Sequence, residues 1–418
     1  MNRHSLMHIA ASALLFATVL AAGMATGTVN VVPEPPRDRI HVALPAPSSV
    51  TPDEASGDVA ESAVDYDRLD ARLERLVEEP GMVGLAVGVV ENGEISFIKG
   101  YGETLEGSGE MVGIDTQFRW ASVSKGVAGV MAAKLDAEKR LSLDLPISNY
   151  SNTLQLPENN HFSASLRDVL SHRLGIWRNA YDDRLEGGID PDIIRGQLGG
   201  LTQVCPVGAC WSYQNVAFDS SSEAVERGTG KTYEEALISE LFGPLGMRDT
   251  NVNREGLEGA ASWAHPHSRG RREVPVTDAY YKVPAAGGVN SDILDLAIWL
   301  QAQTGEFPDI LAPEVLNEAH RPLIGTPVEM RRMRDFRERL SDARYGLGWR
   351  TYDYAGHEII GHRGGVNGYR SLILFDPELA TGIVALWNSN SSQPNGVQFE
   401  LLDMVYGLEA RDWLELDS

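Results

Sequence analysis

The sequence is poor in the features that would give it a metal, a nucleic acid or a membrane as partner. It has two cysteines, Cys205 and Cys210. Two thiolates without a second Cys/His pair cannot close a zinc site, and no metal or other cofactor is expected. Neither cysteine lies near the N-terminal segment, which excludes lipid attachment there. Positive charge is scarce as well: 36 Lys and Arg stand against 59 Asp and Glu, a net charge of -23. That balance opposes binding to nucleic acid or to an anionic membrane surface. The basic clusters Arg269-Gly270-Arg271-Arg272 and Arg331-Arg332-Met333-Arg334 read as solvated faces. No internal repeat is evident. Gly228-Thr229-Gly230-Lys231-Thr232 is not a phosphate-binding loop, because Val225 stands where the first glycine is required.

The apolar stretch Ile9–Gly23 is about 15 residues, short of the ~20 that cross a bilayer. Arg3 precedes it and Ala22-Gly23-Met24-Ala25 follows, so residues 1–25 read as a signal peptide. The protein is expected to be exported, periplasmic or extracellular, and membrane-attached only if that segment stays uncleaved. Residues 26–65 carry Pro33, Pro35, Pro36, Pro45, Pro47 and Pro52 among Ser, Glu and Asp and read as a flexible linker. In an exported chain the closely spaced Cys205 and Cys210 are expected to form a disulfide that pins a tight loop. His265-Pro266-His267 reads as structural.

The folded body is expected over 66–418. An amphipathic helix with Leu69, Leu73 and Leu76 on one side leads to a hairpin, Val83–Val90 and Glu94–Lys99, turned at Asn92-Gly93. The middle, 126–339, reads as mostly helical, with helices after Ser165, over Tyr233–Leu241 and over Asp292–Gln301. Strands return at Glu358–Gly361, Tyr369–Phe375 and Gly382–Trp387, before a last helix over Val397–Leu408. The pattern predicts an α/β (α+β) fold. One antiparallel sheet is formed from both chain ends (66–125 and 340–418), flanked by helices, with an inserted mostly helical domain.

The chemistry centres on Ser122-Val123-Ser124-Lys125, where a strand or loop runs into a helix. Residues three apart share a helix face, so Lys125 can reach the Ser122 hydroxyl and take its proton. Ser96-Phe97-Ile98-Lys99 has the same spacing, but it lies in a strand, where such positions face opposite sides. For Lys125 to act as a base its pKa must fall by about 3 units from ~10.4, at a cost of ~4 kcal/mol. A tyrosine sharing the proton would ease that demand. Two Tyr-x-Asn segments could supply it, Tyr150-Ser151-Asn152 and Tyr213-Gln214-Asn215.

From about Asp67 to Leu408 the chain resembles the serine hydrolases that include class C β-lactamases, DD-peptidases and related esterases. The signposts are Ser122-Val123-Ser124-Lys125, Leu170-Ser171-His172-Arg173-Leu174-Gly175, Tyr213-Gln214-Asn215, Phe242-Gly243-Pro244-Leu245-Gly246-Met247, Ala286-Gly287-Gly288, Tyr345-Gly346-Leu347-Gly348-Trp349 and Gly361-His362-Arg363-Gly364-Gly365, in family order. The resemblance implies that Tyr213, not Tyr150, joins Ser122 and Lys125, and that His172 is structural. It implies an oxyanion hole from the N–H groups of Ser122 and Gly365, with Asn215 holding substrate and Lys125. His362-Arg363-Gly364 would stand on an edge strand, where β-lactamases carry Lys-Thr-Gly. A near-neutral His362 there is expected to weaken carboxylate recognition, and so to favour esters or D-amino-acid peptides over β-lactams. The alternatives are a class C β-lactamase or DD-carboxypeptidase proper, or a non-catalytic protein that captures penicillin or cell-wall peptides.

Overall fold

The computed structural model describes residues 62–417; the expected signal peptide and the linker up to residue 61 lie outside the described residues. Helix α1, Tyr66–Glu78, turns Leu69, Leu73 and Leu76 inward and is capped by Asp65, whose side chain accepts from the Arg68 N–H. Residues 62–65, assigned to the linker, adhere to the body: Ser62 and Ala63 donate to the Glu91 carboxylate, each at 2.8 Å.

The body is organised on an eight-stranded sheet in which every neighbouring pair is antiparallel. Its strands are β1 Gly84–Glu91, β2 Glu94–Gly102, β3 Ile324–Gly325, β4 Leu340–Tyr345, β5 Arg350–Tyr354, β6 His357–Val366, β7 Tyr369–Asp376 and β8 Thr381–Trp387, in the order β2-β1-β8-β7-β6-β5-β4-β3. The first and last parts of the chain meet at β1 and β8, where Leu85 pairs with Trp387 and Val90 with Gly382. Side chains alternate across a strand. Leu85, Val87 and Val89 therefore pack with α1 and the C-terminal helix, while Ala86 and Val90 join the core shared with the helical part. The fold class is the one expected from the sequence.

Three details differ. Strands β4 and β5 were not expected, because Ser341, Asp342 and Arg344 interrupt the apolar pattern and an irregularity breaks the pairing between Ser341 and Arg344. Residues 126–339 hold mostly short helices and connecting loops, the longest regular ones being α2 Ser124–Ala137 and α3 Ile293–Thr304. Finally, β6 is not an edge strand, since it lies between β5 and β7. Its pairing with β5 nevertheless stops at Gly361. His362–Val366 thus bond only to β7 and keep one free edge, which faces the helical part.

Candidate active site

The segment before Ser122 is clamped to the sheet. Phe118 and Arg119 pair with Ser291 and Asn290, and the Trp120 carbonyl accepts from Ser371 Oγ at 2.5 Å. Ala121 then takes a positive φ of 46°, a conformation costing a non-glycine residue about 1 kcal/mol or more. It starts the tight turn Ala121–Val123 that presents Ser122, and α2 follows directly. Helix α2 is apolar nearly all round and buried, as a core helix must be.

Lys125 sits in the first turn of α2 with no exposed surface. Its Nζ lies 3.4 Å from Ser122 Oγ, 2.7 Å from Asn215 Oδ1 and 2.7 Å from the Ala286 carbonyl. The Tyr213 and Phe218 rings cover it at 4.7 and 5.3 Å. Burial drives its pKa down to about 7; Asp182 opposes the shift and Arg350 adds to it. Asn215 is held from behind, its Nδ2 donating to Asp182 Oδ2 at 2.7 Å. Burial raises the Asp182 carboxyl to about 6. Burial pushes the Tyr213 phenol up to about 12, with the Arg350 charge and the neighbouring Ser122 hydroxyl opposing the shift.

Strand β6 forms the opposite wall. A Cβ built on Gly364 would lie 2.2 Å from the Trp120 carbonyl and 3.1 Å from the Ser122 nitrogen. Only glycine permits so close an approach of strand to turn. His362 is 2% exposed and does not offer a free ring nitrogen to the cleft. Its Nδ1 lies 2.8 Å from the Arg363 carbonyl and its Nε2 3.1 Å from the Tyr345 hydroxyl. His172 Nδ1 accepts from the Gln214 N–H at 3.2 Å, and its Nε2 lies 3.2 Å from the same Tyr345 hydroxyl. Burial holds both imidazoles well below their usual range, hence neutral. Backbone N–H groups only donate and carbonyls only accept, so the direction of the whole chain is fixed. His172 Nε2–H donates to Tyr345, Tyr345 O–H donates to His362 Nε2, and His362 Nδ1–H donates to the Arg363 carbonyl. The Tyr-x-Asn segment and β6 are thereby joined across the site. His362 thus braces β6 against Tyr345.

Arg350 comes from β5, opposite Gly361. It lies 5.7 Å from the Tyr213 ring centre and 3.2 Å from Glu329. Arg178 and Arg332 share that carboxylate at 3.3 and 3.5 Å. Sequence reasoning missed Asp182, Arg350 and Glu329. Asp182 stands in Tyr181-Asp182-Asp183-Arg184, which reads as a charged face, and nothing local marks its proximity to Asn215.

The residues that the sequence argued against, and the cysteine pair, fall outside this cluster. Ser96 Oγ is turned to the Glu94 carbonyl at 3.3 Å, and Lys99 pairs with Asp70 at 2.7 Å. Tyr150 closes a loop by accepting from the Ser142 N–H at 2.7 Å and donating to its carbonyl at 3.0 Å. Cys205 and Cys210 form the expected disulfide. Its loop is tied to the His172–Gly175 turn through Val204 N–H to Gly175 O and Gly208 N–H to Arg173 O, both 2.8 Å. Among the described residues no group of three or more His, Cys, Asp or Glu could hold a metal ion.

The chain is 27% identical over 327 residues to an unguisins hydrolase, ungD', of Aspergillus campestris, covering 74% of this chain and 59% of the relative. It is 29% identical over 218 residues to the esterase EstB of Burkholderia gladioli, covering 48% and 54%. The chain thus spans between half and two thirds of these curated relatives. In fold it superposes on the octameric penicillin-binding protein homologue from Pyrococcus abyssi with a TM-score of 0.74, at 23% identity over 83% of this chain and 78% of that one. The profile described as Beta-lactamase matches residues 69–403, so the chain belongs to the Beta-lactamase family.

Proposed function

We propose that Ser122 is the nucleophile of an acyl-enzyme mechanism, with Lys125 and Tyr213 moving protons and the N–H groups of Ser122 and Gly365 receiving the oxyanion. The observation that carries this reading is Lys125 itself, a fully buried amine brought down to about 7. A neutral amine has two N–H bonds and one lone pair. Asn215 Oδ1 and the Ala286 carbonyl, each at 2.7 Å, can use the two N–H bonds. The lone pair then points at Ser122 Oγ, and the 3.4 Å separation has room to tighten when substrate binds.

Lys125 takes the hydroxyl proton as Ser122 Oγ bonds the substrate carbonyl carbon. The tetrahedral oxyanion collapses, the bond to the leaving group breaks, and Tyr213 passes a proton to the departing oxygen or nitrogen. Tyr213 is recharged from Lys125. Water then attacks the acyl-serine by the same steps in reverse, releasing a carboxylic acid and restoring Ser122. Tyr213 suits the donor role because it stays protonated at neutral pH.

Esters or peptide amides are the substrate class, with weak or no β-lactam turnover. His362 has both nitrogens engaged, and Arg350, 8% exposed, is committed to Glu329, so neither replaces the lysine of Lys-Thr-Gly. Work outside the cytoplasm after removal of 1–25 is part of the same reading, supported by the disulfide. The test is labelling with a fluorophosphonate. Ser122→Ala should abolish labelling and turnover, and Ser96→Ala should leave both within a few-fold. A labelled peptide containing another serine would end the proposal.

A further inference from the structure

Beyond Gly365 the cleft continues into a groove of about 520 Å³, with Glu186 and Tyr280 on one side and Arg363, Gly364, Gly365 and Arg370 on the other. Gly365 pairs across the hairpin with Arg370. A Cβ at 365 would lie 3.1–3.4 Å from the Arg370 Cδ, Nε and Cζ atoms, so the guanidinium lies flat over the strand, beside the N–H assigned to the oxyanion. Its Nη1 closes the hairpin turn by donating to the Val366 and Tyr369 carbonyls, both at 2.7 Å.

Arg363 and Arg370 differ from the other arginines around the site. Arg178, Arg332 and Arg350 all share Glu329. Arg363 turns to Met333 Sδ and Tyr352 and is drawn by the same Glu329 without an ion pair, whereas among the described residues Arg370 has no carboxylate partner. Both are partly desolvated, and burial weakens their hold on the proton. A desolvated cation without a counter-charge is costly and gains when an anion arrives. The facing carboxylate is Glu186, which is exposed and accepts from the Tyr280 hydroxyl at 2.8 Å. It does not reach either arginine in an ion pair.

The direction of the cleft says which half of the substrate meets these charges. Strand β6 begins its free edge at His362, 6.3 Å in ring separation from Tyr213, and ends at Val366 in the groove. Tyr213 delivers the leaving-group proton, so the leaving group lies at the His362 end and the acyl group at the Gly365 end. Resting on the acyl-enzyme reading above, we infer that the Arg363–Arg370 groove is an acyl-side subsite for a carboxylate, and that the favoured acyl donors carry an anionic group.

The test compares p-nitrophenyl hydrogen adipate with its neutral methyl ester, p-nitrophenyl methyl adipate, with Ser122→Ala protein as the blank. Adipate is chosen because esters of shorter diacids cyclise unaided. The anionic ester should be favoured about 10-fold or more in kcat/KM, through KM, as for a charge-assisted hydrogen bond. Added salt should erode the preference. Arg363→Gln and Arg370→Gln should each reduce the ratio, and the double variant should bring it near one. Because Arg370 also closes the turn, a second reading uses the unaltered protein: free adipate should inhibit methyl-ester hydrolysis competitively, and adipamide should not. Equal kcat/KM for the two esters without inhibition by adipate overturns the subsite while leaving the acyl-enzyme reading intact. Turnover that survives Ser122→Ala overturns the acyl-enzyme reading instead, and failure to hydrolyse either ester overturns both.

Discussion

Lys125 in water would hold its proton at neutral pH, because an unperturbed ammonium titrates near 10.4. Full burial lowers that value to about 7; the Arg350 charge pushes in the same direction and the Asp182 carboxylate against it. The sign of each neighbour's effect is therefore testable. Hydrolysis that needs neutral Lys125 should rise with pH along an acid limb centred near 7. Arg350→Gln removes a repelling charge, stabilises the ammonium and should move the limb to higher pH. Asp182→Asn removes an attracting charge and should move it lower. Shifts in the reverse directions, or a limb that ignores both changes, would dismiss Lys125 as the base. Tyr213 and Tyr150 give a second contrast. Tyr213→Phe should lower kcat by roughly 10²–10⁴, the range for a positioned acid–base group. Tyr150→Phe loses hydrogen bonds to Ser142 and should cost about 1 kcal/mol of stability with kcat nearly unchanged. The reverse result would move the site.

The disulfide does its work through the element it pins. The loop from Cys205 to Cys210 is bonded to the turn that carries His172, and the Ser212 N–H donates to the His172 carbonyl at 2.8 Å, one residue before Tyr213. Cys205→Ser with Cys210→Ser should lower stability by about 2 kcal/mol, the chain-entropy value for so short a loop. It should also lower kcat by loosening Tyr213; unchanged kcat and Tm would make the staple ornamental. Elements of this kind also mark where the sequence is readable. The Ser122–Lys125 dyad, the Asn92-Gly93 hairpin and the close cysteine pair are local, so spacing read with the local helix and turn signals exposes them. Asp182, Glu329 and Tyr345 reach the site only through tertiary contacts, and their neighbours in sequence look like charged surface or an ordinary turn. Strands β4 and β5 were hidden for a related reason. Arg350 in β5 carries charge because it faces the site, and that charge erases the alternation by which a strand is recognised.

The sheet is closed by the two ends of the chain, and its outer face depends on how they are tied. Helix α1 lies there with the C-terminal helix Val397–Val405 and the segment after it. Arg72 of α1, buried at 7% exposure, bonds Glu400 at 2.9 Å through Nε and at 2.5 Å through Nη2, and also meets Asp412 at 2.5 Å and Asp417 at 2.8 Å. Leu414 is fully buried among Leu69, Leu73 and Leu76, and Trp413 donates to Asp403 at 2.8 Å. Ser122 and α2 belong to the core on the opposite face. Ending the chain after Leu408 would remove Leu414, Trp413 and two of the three carboxylates around Arg72, leaving Glu400 to hold a partly buried guanidinium. Loss of the apolar burial and of two of the three carboxylate partners of Arg72 should cost about 5 kcal/mol. Because the sheet separates that damage from the catalytic face, the truncated protein should show a clearly lower Tm with kcat per fluorophosphonate-titrated site close to that of the full chain. An unchanged Tm would mean that α1 needs no C-terminal tie. A collapse in kcat per active site would mean that the two faces are mechanically coupled through β1 and β8.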